Sequence, residues 1–114
     1  MTRTEVATMI KSFGLPFSYY QFPQGTSVKP PFVCFFYTGS NDLYADVTNY
    51  QKIEGLSIEL YSADKRFDLE ETIESSLNEC GLTYYKEENF IDSEKLFMTS
   101  YDMEIVLTEE QEGN

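Results

Sequence analysis

Between Ile53 and Leu82 the spacing of hydrophobic positions changes once, and the change separates a strand from a helix. Leu56, Ile58 and Leu60 alternate with Ser57, Glu59 and Tyr61, the two-residue period of a strand with one buried face. Ser62-Ala63-Asp64 is turn composition, and beyond it the period becomes helical. Leu69, Ile73, Leu77 and Cys80 recur at near-fourfold spacing, which lines them along one helix face. Asp68 followed by Glu71 reads as a capping box, and Gly81 with Leu82 reads as the glycine stop with its apolar cover. A strand therefore feeds a helix, and the apolar face of each needs the other.

The same reasoning extends over the rest of the chain. Thr2 to Glu5 is a second capping box, and Val6, Met9, Ile10 and Phe13 share a face, which predicts an amphipathic helix over 3–13 stopped at Gly14 and Pro16. Residues 17–22 are β-prone, and 23–31 form a proline-rich polar loop that cannot run through a sheet interior. Phe32 to Tyr37 has strand length and Thr38 to Asp42 has turn composition. Leu43 to Val47 reads as a returning strand, and 49–54 leads into the strand at Leu56. Residues 83–91 read as an edge strand with a polar middle, followed by a turn at Asp92-Ser93. The last strand, 94–107, places Phe97, Thr99, Tyr101, Met103, Ile105 and Leu107 on one side, with Ser100, Asp102 and Glu104 on a wet face. The expected fold class is α+β: helix, three to four mostly antiparallel strands, helix and C-terminal β-hairpin, both helices on one sheet face. One domain spans 1–107 and an acidic flexible tail occupies 108–114.

Charge narrows the partners. Eight basic against twenty acidic residues give a formal charge of −12. That excess disfavours phosphate neutralisation, and with it sequence-specific nucleic-acid binding, and it disfavours docking on an anionic membrane. No apolar run is long enough to span a bilayer, and the opening residues lack a signal-peptide pattern. Cys34 and Cys80 sit at apolar positions with no metal-ligand spacing, so both are expected to be buried free thiols in a reducing cytoplasm.

Catalytic chemistry finds no foothold in the pattern. The chain has no histidine, which removes the usual base from acid–base and nucleophilic schemes, and it has no glycine-rich phosphate loop. Asp42 with Asp46, and Asp64 with Asp68, lack the dense acidic spacing of a calcium loop and read as turn and cap carboxylates. Glu70, Glu71 and Glu74 read as the wet face and dipole complement of the second helix. Tyr19-Tyr20 and Tyr84-Tyr85 lack the neighbouring cations of a base-stacking platform. The expectation is a non-enzyme with no cofactor and no metal.

Three segments carry a likeness to known proteins: YADVTNY at 44–50, the strand-to-helix unit IELYSADKRFDLEETIE at 58–74, and the hairpin FIDSEKLFMTSYDMEI at 90–105. Over Tyr19 to Ile105 the chain resembles the tail-completion or tail-terminator proteins of long-tailed phages and prophages of Gram-positive bacteria. The resemblance implies a structural protein of the virion, made in the host cytoplasm. It would form a ring of its own copies, usually six, that caps the tail tube and offers a surface to the head. Its implied partners are itself, the tail tube protein and the head–tail connector protein, with DNA passing through the ring. Another head–tail role, such as head closure, is the nearest alternative. An acidic inhibitor that mimics DNA is the alternative of a different class.

A protein of that kind must hold more contact surface than one copy uses. The loop Pro23 to Pro31 is too polar and proline-rich to pack inside, yet Tyr19, Tyr20, Phe22 and Phe32 flank it. These four with Gly25, Thr26, Ser27 and Val28 are the candidate assembly contacts, in a segment that proline lets order against a neighbour at small entropic cost; the alternative reading is an ordinary exposed hairpin loop.

Overall fold

The structure is a computed structural model and describes residues 1–22, 28–40 and 52–108. Helix α1 (Arg3–Lys11) precedes three strands, β1 (Phe17–Tyr19), β2 (Phe32–Ser40) and β3 (Lys52–Ser62). Helix α2 (Phe67–Glu79) and a hairpin of β4 (Tyr84–Ile91) and β5 (Leu96–Leu107) complete the order. The sheet runs β1-β2-β3-β5-β4, so the last strand lies between β3 and the edge strand β4. The β1–β2 pair is parallel, and the other described pairs are antiparallel. This is the α+β arrangement expected from the periodicities. The returning strand read at 43–47, loop residues 23–27 and tail residues 109–114 lie outside the described residues.

Register sorts the two faces. Val33 pairs with Leu60, Phe35 with Ile58 and Tyr37 with Leu56, and these in turn pair with Thr99, Tyr101 and Met103. That row forms one buried core with Val6, Met9, Ile10 and Phe13 from the first helix segment and Ile73 and Leu77 from α2. Both helices therefore cover one face. The other carries Phe32 beside Tyr61, Cys34 beside Glu59 and Phe36 beside Ser57, with no helix over it among the described residues.

Capping separates the two helices. At α1 the Glu5 amide donates to Thr2 Oγ1 at 3.1 Å and the Thr2 amide to Glu5 Oε1 at 2.8 Å, the expected reciprocal box. At α2 no side-chain cap forms, and Arg66 holds the N-cap position. Asp68 is already inside the first turn, its carboxylate gripped by Arg66 at 3.0 and 2.9 Å, so the capping box read at Asp68 and Glu71 is corrected. The far end of α2 follows the glycine stop. Gly81 takes φ +71°, its amide donates to Asn78 at 3.0 Å, and the Leu82 amide donates to Leu77 at 2.9 Å.

Five further expectations change. The first helix ends at Lys11 rather than 13, and β1 stops at Tyr19 rather than 22. Thr38, Gly39 and Ser40 continue β2 instead of turning, because Gly39 at φ +136° absorbs one extra residue as a bulge between Tyr37 and Gly39. Cys80 is exposed: it holds the C-cap position of α2 and lines a shallow groove with Glu5, Met9 and Ser12. Glu70 and Glu74 are not the wet face of α2. Ile73 and Leu77 point at the sheet, so the flanking Glu70 and Glu74 meet the edge of it. Lys86 Nζ lies 2.8 Å from Glu70 and 2.7 Å from Glu74, and Lys65 pairs with Glu70 and Glu88.

Candidate functional site

The uncovered sheet face carries an aromatic groove near the ends of β2 and β3. It has a volume of about 530 Å³ and runs from Tyr20, Phe22 and Val28 across Phe32, Cys34 and Phe36 to Glu59 and Tyr61. Ile91, Glu94 and Leu96 from the β4–β5 hairpin close its far side. The position of the hairpin follows from topology: β5 pairs with β3 so that Tyr61 opposes Met98, which brings the 92–95 turn level with the groove.

Ring geometry makes the groove a built surface. Phe32 stacks on Tyr61 with centroids 5.1 Å apart, and Phe22 meets Phe32 edge-on at 5.3 Å. Tyr20 leans on Phe36 at 5.4 Å. It does so from a left-handed backbone, φ +67°, which a bulky side chain adopts at a cost on the order of 1–2 kcal/mol. Its amide donates to the Phe35 carbonyl at 2.7 Å, which holds the kink in place. Tyr20 remains 63% exposed, so the kink presents a ring to solvent instead of burying one.

Of the expected assembly contacts, the structure brings Tyr20, Phe22, Val28 and Phe32 together on this groove. Tyr19 is not with them. It lies over the other sheet face, edge-on to Phe35 at 5.3 Å, and lines a separate hollow of about 630 Å³ with Arg3, Tyr37 and Glu54. Strand alternation is the reason, since Tyr19 ends β1 and the reversal at Tyr20 sends the next ring the opposite way. Gly25, Thr26 and Ser27 lie outside the described residues.

Sequence reasoning did not name Gln21, Cys34, Phe36, Glu59, Tyr61, Ile91, Glu94 or Leu96 as contacts. The signal for two of them was present: a run that is apolar at every position, as Phe32 to Phe36 is, must place apolar groups on both faces.

The polar groups of the groove are few and their chemistry is clear. The Tyr61 hydroxyl donates to Glu59 Oε1 at 2.8 Å. Burial, and then this bond to Glu59, pushes the Tyr61 hydroxyl well above the ordinary tyrosine range. Burial and the nearby Glu59 charge push the Cys34 thiol up to about 11, so it is a neutral packing group at physiological pH and a poor nucleophile. Among the described residues no three metal-ligating side chains converge on a point. The groove is suited to holding another surface. No protein-family model matches the chain, and no curated protein matches it.

Proposed function

We propose that this chain is a structural assembly protein that works by docking, through the aromatic groove, onto another protein surface. The observation that carries the reading is the uncovered sheet face, where Tyr20, Phe22, Phe32, Phe36 and Tyr61 form a preorganised concave surface with no described helix above it. Exposed aromatic clusters of this kind mark protein contacts, because Tyr and Phe supply large contact area at small entropic cost.

The specific role follows from the resemblance over Tyr19 to Ile105: completion of a phage tail, with the protein as a ring between tube and head. An α+β domain with its helices on one face and no described helix on the other is a reasonable ring subunit, since the two sides can serve different tasks. The DNA-mimic reading fares less well. A mimic needs carboxylates arrayed like phosphates, whereas Glu70, Glu74 and Glu88 are tied to Lys65 and Lys86, and Asp68 to Arg66.

Electron microscopy of particles produced by a phage without this protein tests the role. Overlong tails or tails without heads support tail completion. Normal tails with leaking heads move the protein to head closure, and intact virions remove it from assembly.

A further inference from the structure

The groove contains a carboxylate that no cation of the chain pairs with. All eight Lys and Arg residues fall among the described residues. Among the described residues they form ion pairs with Glu70, Glu74, Glu88, Asp68 and Asp92, and Glu59 is in none of these. Among the described residues the Tyr61 hydroxyl is the donor to Glu59, and it serves one carboxylate oxygen. Around that carboxylate stand Phe32, Phe36 and Tyr61, with Tyr20 and Phe22 at the rim.

An anionic group half-buried among aromatic side chains is a cation-binding arrangement. The rings attract a cation through their quadrupoles, and the carboxylate gives it a hydrogen-bonded counter-charge. A planar guanidinium suits it better than an ammonium, because it can lie against an aromatic ring and still donate in its own plane to Glu59. We propose that the groove takes an arginine side chain presented by an extended segment of a partner protein, with Glu59 as its counter-ion and Phe32, Phe36 and Tyr61 as its walls. This inference rests on the reading of the groove as a protein contact and adds the chemistry of the partner. The net charge of −12 favours the same kind of partner at long range.

The test uses the full chain and two synthetic peptides, Leu-Arg-Leu and Leu-norleucine-Leu, both capped at each end. Each is titrated to millimolar concentration against isotope-labelled protein, and backbone amide shifts are followed by NMR. The arginine peptide should move the amides of Cys34, Glu59 and Tyr61, and the norleucine peptide should bind at least tenfold more weakly. Glu59→Gln, which keeps the shape and an acceptor for Tyr61, should weaken the arginine peptide roughly tenfold and leave the norleucine peptide unchanged. Equal binding of the two peptides overturns the proposal and leaves an apolar docking groove. Shifts spread over the acidic surface away from the groove, or no shift at all, also overturn it. The norleucine comparison needs no variant, so it decides the matter even if the Glu59→Gln protein misfolds. Intact virions without the protein would instead remove the assembly role and leave peptide binding as measured.

Discussion

The Tyr101 hydroxyl donates to Glu74 Oε2 at 2.8 Å, across the junction between β5 and α2. Tyr101 has no exposed surface, and Tyr84 packs edge-on against it at 5.3 Å. A buried hydroxyl must find an acceptor, and only one rotational setting of α2 supplies this one. The bond therefore fixes which face of the helix meets the sheet. Tyr101→Phe should cost about 1 kcal/mol in urea titration, because Glu74 keeps Lys86. Glu74→Ala should cost more, since it strands both the hydroxyl and part of the Lys86 charge.

Leu77 is fully buried between α2 and the central strands. Its truncation to Ala should cost about 2–5 kcal/mol, the range for an aliphatic core side chain whose cavity does not collapse. A loss below about half a kcal/mol would be incompatible with the core described here.

The acid limb of stability should belong in part to Glu70. Burial works against its charge, and the hydrogen bonds from Lys65 and Lys86 outweigh burial, so its carboxyl titrates below the ordinary glutamate range. A group with a lowered folded value contributes fully above about pH 5 and loses that contribution as pH falls through the folded value. Stability followed from neutral pH downward should decline less steeply in Glu70→Gln, which starts from a lower level. At the alkaline end the sign reverses. Tyr101 is raised by burial and by its bond to Glu74; burial opposes the Lys86 charge, but its bonds to Glu70 and Glu74 outweigh burial and raise it. Their contributions hold below about pH 10 and fade as pH rises beyond it.

Gly55 faces the bulge in β2. A Cβ there would collide with Thr38 Oγ1 and lie 3.3 Å from Thr38 Cβ. Gly55→Ala should destabilise by about 1–3 kcal/mol, and Thr38→Ala in the same chain should recover part of the loss. A fully additive double-variant cycle would show that the bulge moves aside freely.

How much of this was legible in the sequence depended on whether one strand or two carried the signal. The alternation Leu56-Ile58-Leu60 and the series Phe97 to Leu107 fix their own core-facing sides, and the structure has those sides as read, but Ser57 and Ser100 on the opposite face, expected to be wet, are buried as well. The glycine stop at Gly81 is equally local. Glu70 and Glu74 were misread because their partners, Lys86 and Tyr101, arrive from a hairpin whose placement beside β3 no local pattern encodes. Half of the groove was visible as aromatic residues around a loop. The other half needed the register that sets Tyr61 beside Phe32 and the 92–95 turn beside both. Cys80 was misplaced for a simpler reason: its spacing matches the buried stripe, but it holds the C-cap position at the end of α2 and is exposed there. Thiol labelling of native protein should accordingly modify Cys80 quickly and Cys34 slowly.

Tyr20 allows the proposed assembly role of the groove to be tested without damaging the fold. Asn occupies left-handed backbone far more readily than Tyr, so Tyr20→Asn should leave stability equal or raise it by a few tenths of a kcal/mol. Phe36→Asp places a charge on the open face beside it. The decisive measurement is complementation of a phage lacking this chain by the folded double variant, scored by tail length and head attachment in electron micrographs. Overlong tails or tails without heads, despite native circular dichroism, are expected if the groove is the contact for assembly. Tails of normal length joined to heads, from the double variant as from the unaltered protein, would contradict that role.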